Sequence, residues 1–209
     1  ALLRVWALAL AVAAQQMGPG GMPLEAKPVF KSSKLVECAV CNEATEELHR
    51  QVALKREGRK TKVGEDELQD MASALCDPDD DGGEWLTYFD ITQSEPGAPL
   101  KVEKQDYVGE CRRECRTIAK ACAAVYDEHR EDVAELLYKS EAISAEKFKA
   151  KVCSKWAAVC PQAKRDQEAY EHPDEWWLPV DEEMYKMKHM QRVINQQANK
   201  YGKQPVQFV

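Results

Sequence analysis

Apolar positions recur at three- and four-residue steps in four stretches of the chain, and two short extended pieces lie between the second and third of them, which predicts a helical protein with a small hairpin. In SSKLVECAVCNEATEELHRQVALK, Leu35, Cys38, Cys41, Thr45, Leu48 and Val52 share one stripe, while Glu37, Glu43, Glu46, Glu47 and Arg50 fall mostly on the other side. GEDELQDMASALC places Leu68, Met71, Ala72, Leu75 and Cys76 on one face of a short helix that ends at DPDDDGG. A longer helix over residues 106–139 carries Cys111, Cys115, Ile118, Cys122, Val125, Val133, Leu136 and Leu137. The fourth stretch, SAEKFKAKVCSKWAAVC, aligns Phe148, Val152, Cys153, Trp156 and Cys160, with Ser144 as its N-cap and Pro161 as its stop. Between the second and third helices, Pro96, Gly97 and Pro99 mark a turn joining extended pieces at residues 85–92 and 100–102.

Composition adds the compartment. The chain has 209 residues, 44% hydrophobic, with 36 acidic against 29 basic side chains and a net charge of -7, which suits one core and no general attraction to nucleic acid. Its first residues, ALLRVWALALAVAAQQ, follow the pattern of a signal peptide over residues 1–15, incomplete at its start, with a linker over residues 16–31. No other apolar run is long enough to cross a bilayer, so no transmembrane segment is expected.

An oxidising lumen makes eight cysteines most simply a set of disulfides. The ECAVCN motif with Cys38 and Cys41 would also suit a redox dithiol or half of a zinc site. A thioredoxin-like dithiol, however, follows a strand and opens a helix, whereas this pair sits within one. Zinc would need a second close pair, which the remaining spacings lack. The first and fourth cysteine helices can instead lie antiparallel, with Cys38 linked to Cys160 and Cys41 to Cys153. Cys76 would reach Cys111, Cys115 or Cys122, with spacing favouring Cys122, and the pairing of these four stays open.

The CxxC opening helix, the lone cysteine in ALCD, the helix ACAAVYDEHREDVAELLY and the closing VCSKWAAVC together resemble the Canopy family, saposin-B-like proteins of the endoplasmic reticulum lumen. LCDPDDDGGEWLTYFDI and GECRRECRTIAKAC are most similar to plant and algal members. The resemblance spans residues 32–163. It implies an all-α, saposin-like, disulfide-stapled bundle with a small β-hairpin insertion. It also implies a non-catalytic co-chaperone or adaptor that binds secretory or receptor clients, without cofactor, metal or catalytic residues. The chain ends KQPVQFV rather than in a retrieval signal of the KDEL type, which adds secretion as the alternative to the lumen.

Two further readings compete with the adaptor. One is a saposin-like lipid- or membrane-binding protein, and the other is a thiol oxidoreductase using Cys38 and Cys41. Residues 77–88 begin like a calcium loop, with Asp77, Asp79, Asp81 and Gly82 in place, but position 12 is Tyr88, so an acidic turn is expected. The basic residues Arg50, Lys55, Arg56, Arg59, Lys60 and Lys62 suit a helix C-terminus or an acidic partner. The four histidines, His49, His129, His172 and His189, lie in polar surroundings that predict exposure. The polar tail, residues 164–209, holds an amphipathic helix over residues 181–200, capped by Asp181. Its Met184, Met187, Met190 and Ile194, with Trp176 and Trp177 ahead of them, are candidate partner-binding residues, with packing of the helix back on its own domain as the equal alternative.

Overall fold

The computed structural model describes residues 26–160 and 170–200. The expected signal peptide, most of the linker and the Pro161 stop lie outside the described residues. The elements run α1 (Phe30–Arg56), α2 (Glu65–Ala74), a 3-10 helix (Asp81–Tyr88), β1 (Phe89–Thr92), β2 (Lys101–Lys104), α3 (Arg113–Lys139), α4 (Ala145–Lys149) continuing as a wider π-type helix (Ala150–Trp156), and α5 (Glu182–Lys200).

Helix α1 is the central post. It packs on α3 along one side and on α4 with its π-type extension along another. Its buried face is therefore wider than a single stripe: Ser32, Ser33, Val36, Glu37, Val40, Cys41, Ala44, Thr45, Leu48 and Val52 are all buried, while Leu35 is half-exposed. Helices α1 and α3 run in the same direction, since Val29 N donates to Thr117 Oγ1 (2.9 Å) at one end and Arg56 Nη2 to the Leu137 carbonyl (2.6 Å) at the other. Helix α2 contributes Leu68 and Ala72 to the same core, and Leu75 follows at its C-terminal end. In the middle, buried Thr45 bonds the Cys41 carbonyl (2.6 Å) and accepts from Tyr126 Oη (3.1 Å). Burial pushes the Tyr126 phenol upward, so it stays a neutral donor.

Four bridges staple this core: Cys38–Cys160, Cys41–Cys153, Cys76–Cys122 and Cys111–Cys115. Their sequence separations are 122, 112, 46 and 4. By loop-closure entropy they contribute about 5, 5, 4 and 2 kcal/mol. The expected antiparallel stapling of the two end helices is present, with one correction. Cys38 and Cys41 are three residues apart, about 4.5 Å of helical rise, whereas Cys153 and Cys160 on a regular helix would be about 10.5 Å apart. Two straight helices cannot satisfy both bridges. The chain resolves the mismatch by leaving helical geometry after Trp156, passing Ala158 through a left-handed conformation (φ 51°) and folding Cys160 back until its N–H reaches the Cys153 carbonyl at 3.1 Å. Ser144 caps α4 as expected, its Oγ accepting from Lys147 N at 3.4 Å.

Three other expectations change. The stretch read as one strand over residues 85–92 is helical up to Tyr88 and extended only from Phe89, because the buried Trp85 must turn inward to donate its indole N–H to the Leu75 carbonyl (2.8 Å). Its partner strand is Lys101–Lys104 rather than residues 100–102, in antiparallel register with Ile91 opposite Val102. Helix α3 begins at Arg113 rather than near residue 106, leaving Cys111 in a tight turn before it, closed by Arg112 N on the Glu110 carbonyl (2.9 Å). A bridge between residues four apart, awkward inside a helix, is accommodated because it straddles the helix start.

Candidate interaction site

The acidic turn before the 3-10 helix is occupied by its own backbone. Asp77 Oδ1 accepts from Asp79 N (2.9 Å) and Asp80 Oδ1 from Gly82 N (2.9 Å). Gly83 packs so tightly that a Cβ there would lie 2.0 Å from the Asp77 carbonyl oxygen. Among the described residues no cluster of His, Cys, Asp or Glu is placed to hold a metal ion. Five of the six residues of the basic run are engaged internally: Lys55 and Arg59 pair with Glu67, Lys62 with Glu141, Arg50 with Glu47, and Arg56 bonds two carbonyls on and beyond α3. The Arg59 hydrogen bond holds the Glu67 carboxyl down at about 2.

The tail folds back on the domain in a way the sequence did not disclose. Residues 170–180 form a strap along the hairpin and the start of α3. Gly97 N and Gln93 Nε2 donate to the Tyr170 carbonyl (3.0 and 2.8 Å), His172 N to Gln93 Oε1 (2.7 Å), and Arg113 N to Glu175 Oε2 (2.9 Å). Gly109 and Pro179 form an antiparallel bridge, flanked by Glu110 N to the Leu178 carbonyl (2.9 Å) and Val180 N to the Val108 carbonyl (2.8 Å). Trp177 lies against Gly109 so closely that a Cβ at that glycine would come within 2.6 Å of the indole nitrogen.

The strap is fastened at its centre by a buried polar chain. His172, expected to be exposed, is only 4% accessible. Its Nδ1 shares a hydrogen bond with Ser32 Oγ (2.8 Å) and its Nε2 bonds Glu114 Oε1 (3.2 Å). Ser32 Oγ also bonds Tyr170 Oη at 2.7 Å. Glu114 accepts in addition from Glu175 N (2.9 Å) and Ile91 N (3.1 Å), and it shares a hydrogen bond with the Asp90 carboxyl. Burial, then the Glu114 carboxylate beside it, pushes Asp90 up to about 8. Burial acts to raise Glu114 too, but the bonds from His172, Asp90 and the two backbone N–H groups outweigh it and hold this carboxyl below its ordinary value. At neutral pH the pair therefore holds one proton, on Asp90.

Serine, histidine and glutamate in hydrogen-bonded sequence have the composition of a hydrolytic triad. A nucleophile must meet a carbonyl carbon, however, and Ser32 is fully buried under Tyr170 and His172. This chain of groups works as a clasp. No signal in the sequence pointed to it, because its members lie 58 to 140 residues apart.

With the strap clasped, its outer residues and α5 present an apolar row. Trp176 is 82% exposed, Met187 58%, Met190 57% and Met184 40%, joined by Leu178 and Val193, which the periodicity missed. Of the expected residues, Trp177 turns inward over Gly109 and Ile194 is half-buried, so neither belongs to this row. Asp181 caps α5, Oδ1 accepting from Glu183 N and Met184 N (3.0 and 3.2 Å), and Tyr185 Oη donates to Glu84 Oε1 (2.8 Å). That contact sits on the rim of a groove of about 480 Å³ floored by Trp85, Tyr88 and Phe89. Burial and then the neighbouring Glu46 raise the Glu43 carboxyl on its wall.

Comparison with known proteins finds no family model, no curated protein and no solved structure that matches the chain. The described chain is a disulfide-stapled helical fold with one hairpin, and no helix of the described residues is long and apolar enough to cross a membrane.

Proposed function

We propose that this chain is a client-binding adaptor of the secretory pathway, of the kind its resemblance to the Canopy family implies, acting in the endoplasmic reticulum lumen or after secretion. The observation that carries this reading is the row Trp176, Met184, Met187 and Met190, held outward on a tail that is itself clasped to the core. Unbranched, polarizable methionines adapt to varied apolar surfaces, which suits a partner recognised by exposed hydrophobic segments rather than by one sequence. Four bridges fit an oxidising compartment. They also engage both Cys38 and Cys41 with the far end of the domain, which disfavours the dithiol reading at that pair.

The test is binding to a reduced, carboxymethylated secretory protein, which stays unfolded and cannot exchange disulfides. Met187→Glu with Met190→Glu is expected to weaken binding by about tenfold or more, since each buried methionine contributes about 1.5 to 3 kcal/mol. Unchanged affinity removes the row from the function. Flotation with phosphatidylcholine vesicles separates the adaptor from a lipid-binding protein, which alone would rise with the lipid.

A further inference from the structure

Three of the bridges join segments 46 or more residues apart and hold helices together. Cys111–Cys115 closes a loop four residues long and joins no two elements. Opening it releases the least chain entropy of the four and leaves every other staple in place. Its surroundings differ as well. Cys111 lines a groove of about 320 Å³ between the start of α3 and the tail, bordered by Gly109, Glu110, Val180 and Tyr185. Cys115 lies behind it, 5% exposed, as the third residue of α3.

We propose that this bridge is a thiol–disulfide exchange site for a dithiol on a client polypeptide. A client thiolate entering the groove attacks Cys111 Sγ, the sulfur of the half-buried cysteine that lines it. The Cys111–Cys115 bond breaks and Cys115 leaves with the electron pair as a thiolate, giving a mixed disulfide at Cys111. The client's second thiol loses its proton to solvent and attacks its own sulfur in that mixed disulfide, expelling Cys111 as a thiolate. The client dithiol is thereby oxidised to a disulfide by two electrons, and Cys111 and Cys115 are reduced to thiols as they take up protons.

The helix start favours this direction of attack. The first turn of a 27-residue helix carries partial positive charge, and Cys115 sits in it. A sulfur stabilised as thiolate is the better leaving group. Arg112 and Arg116 are paired with Glu175 and Asp79. Arg113, between the two cysteines in sequence, has a buried Nε with no hydrogen-bond partner among the described residues. Its Nη2 donates to the Asp174 carbonyl (3.4 Å). The exchange goes beyond client binding and stands without it, because a small dithiol suffices to reveal it.

The full chain is incubated with a synthetic peptide bearing two cysteines, quenched with iodoacetamide at intervals and mapped by mass spectrometry. Cys111 and Cys115 are expected to be alkylated at least tenfold faster than the members of the other bridges, with one peptide disulfide formed per bridge opened. Opening together with, or after, any other bridge overturns the proposal. The direction is read from the reverse reaction with the oxidised peptide. Cys115→Ser should capture it on Cys111 at least tenfold faster than Cys111→Ser captures it on Cys115, and equal rates overturn the assignment of Cys111 as the attacked sulfur. The kinetics on the unmodified chain decide the main point even if a serine variant folds poorly.

Discussion

Replacing Glu114 with glutamine tests the clasp most directly. The carboxylate accepts from His172 Nε2 and Glu175 N on Oε1 and from Ile91 N on Oε2, with the Asp90 carboxyl as a further partner. Glutamine has the same shape but one oxygen, so at least one buried donor must face its NH2 group. A buried donor left without an acceptor costs about 1 to 3 kcal/mol, and loss of charge weakens the bonds that remain. Taking about 3 kcal/mol for the whole change, strap opening becomes roughly a hundredfold more frequent. Hydrogen exchange resolves where this falls. The amides of Gly97, Glu110, His172 and Val180, each bonded across the strap, should lose about two orders of magnitude of protection. Amides in the middle of α1, held by the core and two long-range bridges, should change far less. Protection of the four strap amides within about threefold of the parent, or an equal loss throughout α1, would refute the reasoning that the carboxylate holds the strap.

Asp90, raised to about 8 from an ordinary value near 3.9, contributes stability that is intact near pH 4 and is lost as pH climbs through 8. Glu114, held low, works the other way and loses its contribution only as pH falls below the ordinary carboxylate range. The melting temperature should therefore decline from pH 5 to pH 8, and Asp90→Asn should flatten that decline; a slope unchanged in the variant contradicts it. Removing Cys41 and Cys153 together should lower stability to denaturant by about 4 to 5 kcal/mol, and removing Cys111 and Cys115 by about 2, because the loops differ so much in length. Equal midpoints for the two double variants speak against that ordering. Gly109→Ala puts a methyl within 2.6 Å of the Trp177 indole. It should drive that ring into solvent at a cost of about 1 to 3 kcal/mol, seen as a red shift in tryptophan emission that the parent lacks.

Hydrophobic period alone located all four cysteine-bearing helical stretches, because each must bury one face whatever its neighbours are, and it also located the tail helix, whose apolar side chains stay exposed. Local chemistry placed the caps at Ser144 and Asp181, where a side-chain oxygen answers N–H groups within three residues. An antiparallel arrangement of the end helices was enough to pair Cys38 with Cys160 and Cys41 with Cys153. Tertiary structure decided the rest. A spacing of three residues on one helix against seven on the other forced the chain off its helix after Trp156, a conflict visible only when both bridges are required at once. The start of α3 at Arg113 chose the last two pairings. The clasp of Ser32, Asp90, Glu114, Tyr170 and His172 is assembled from four separate stretches of chain. A polar residue's burial depends on partners brought from such distances, and no local pattern of hydrophobicity encodes them.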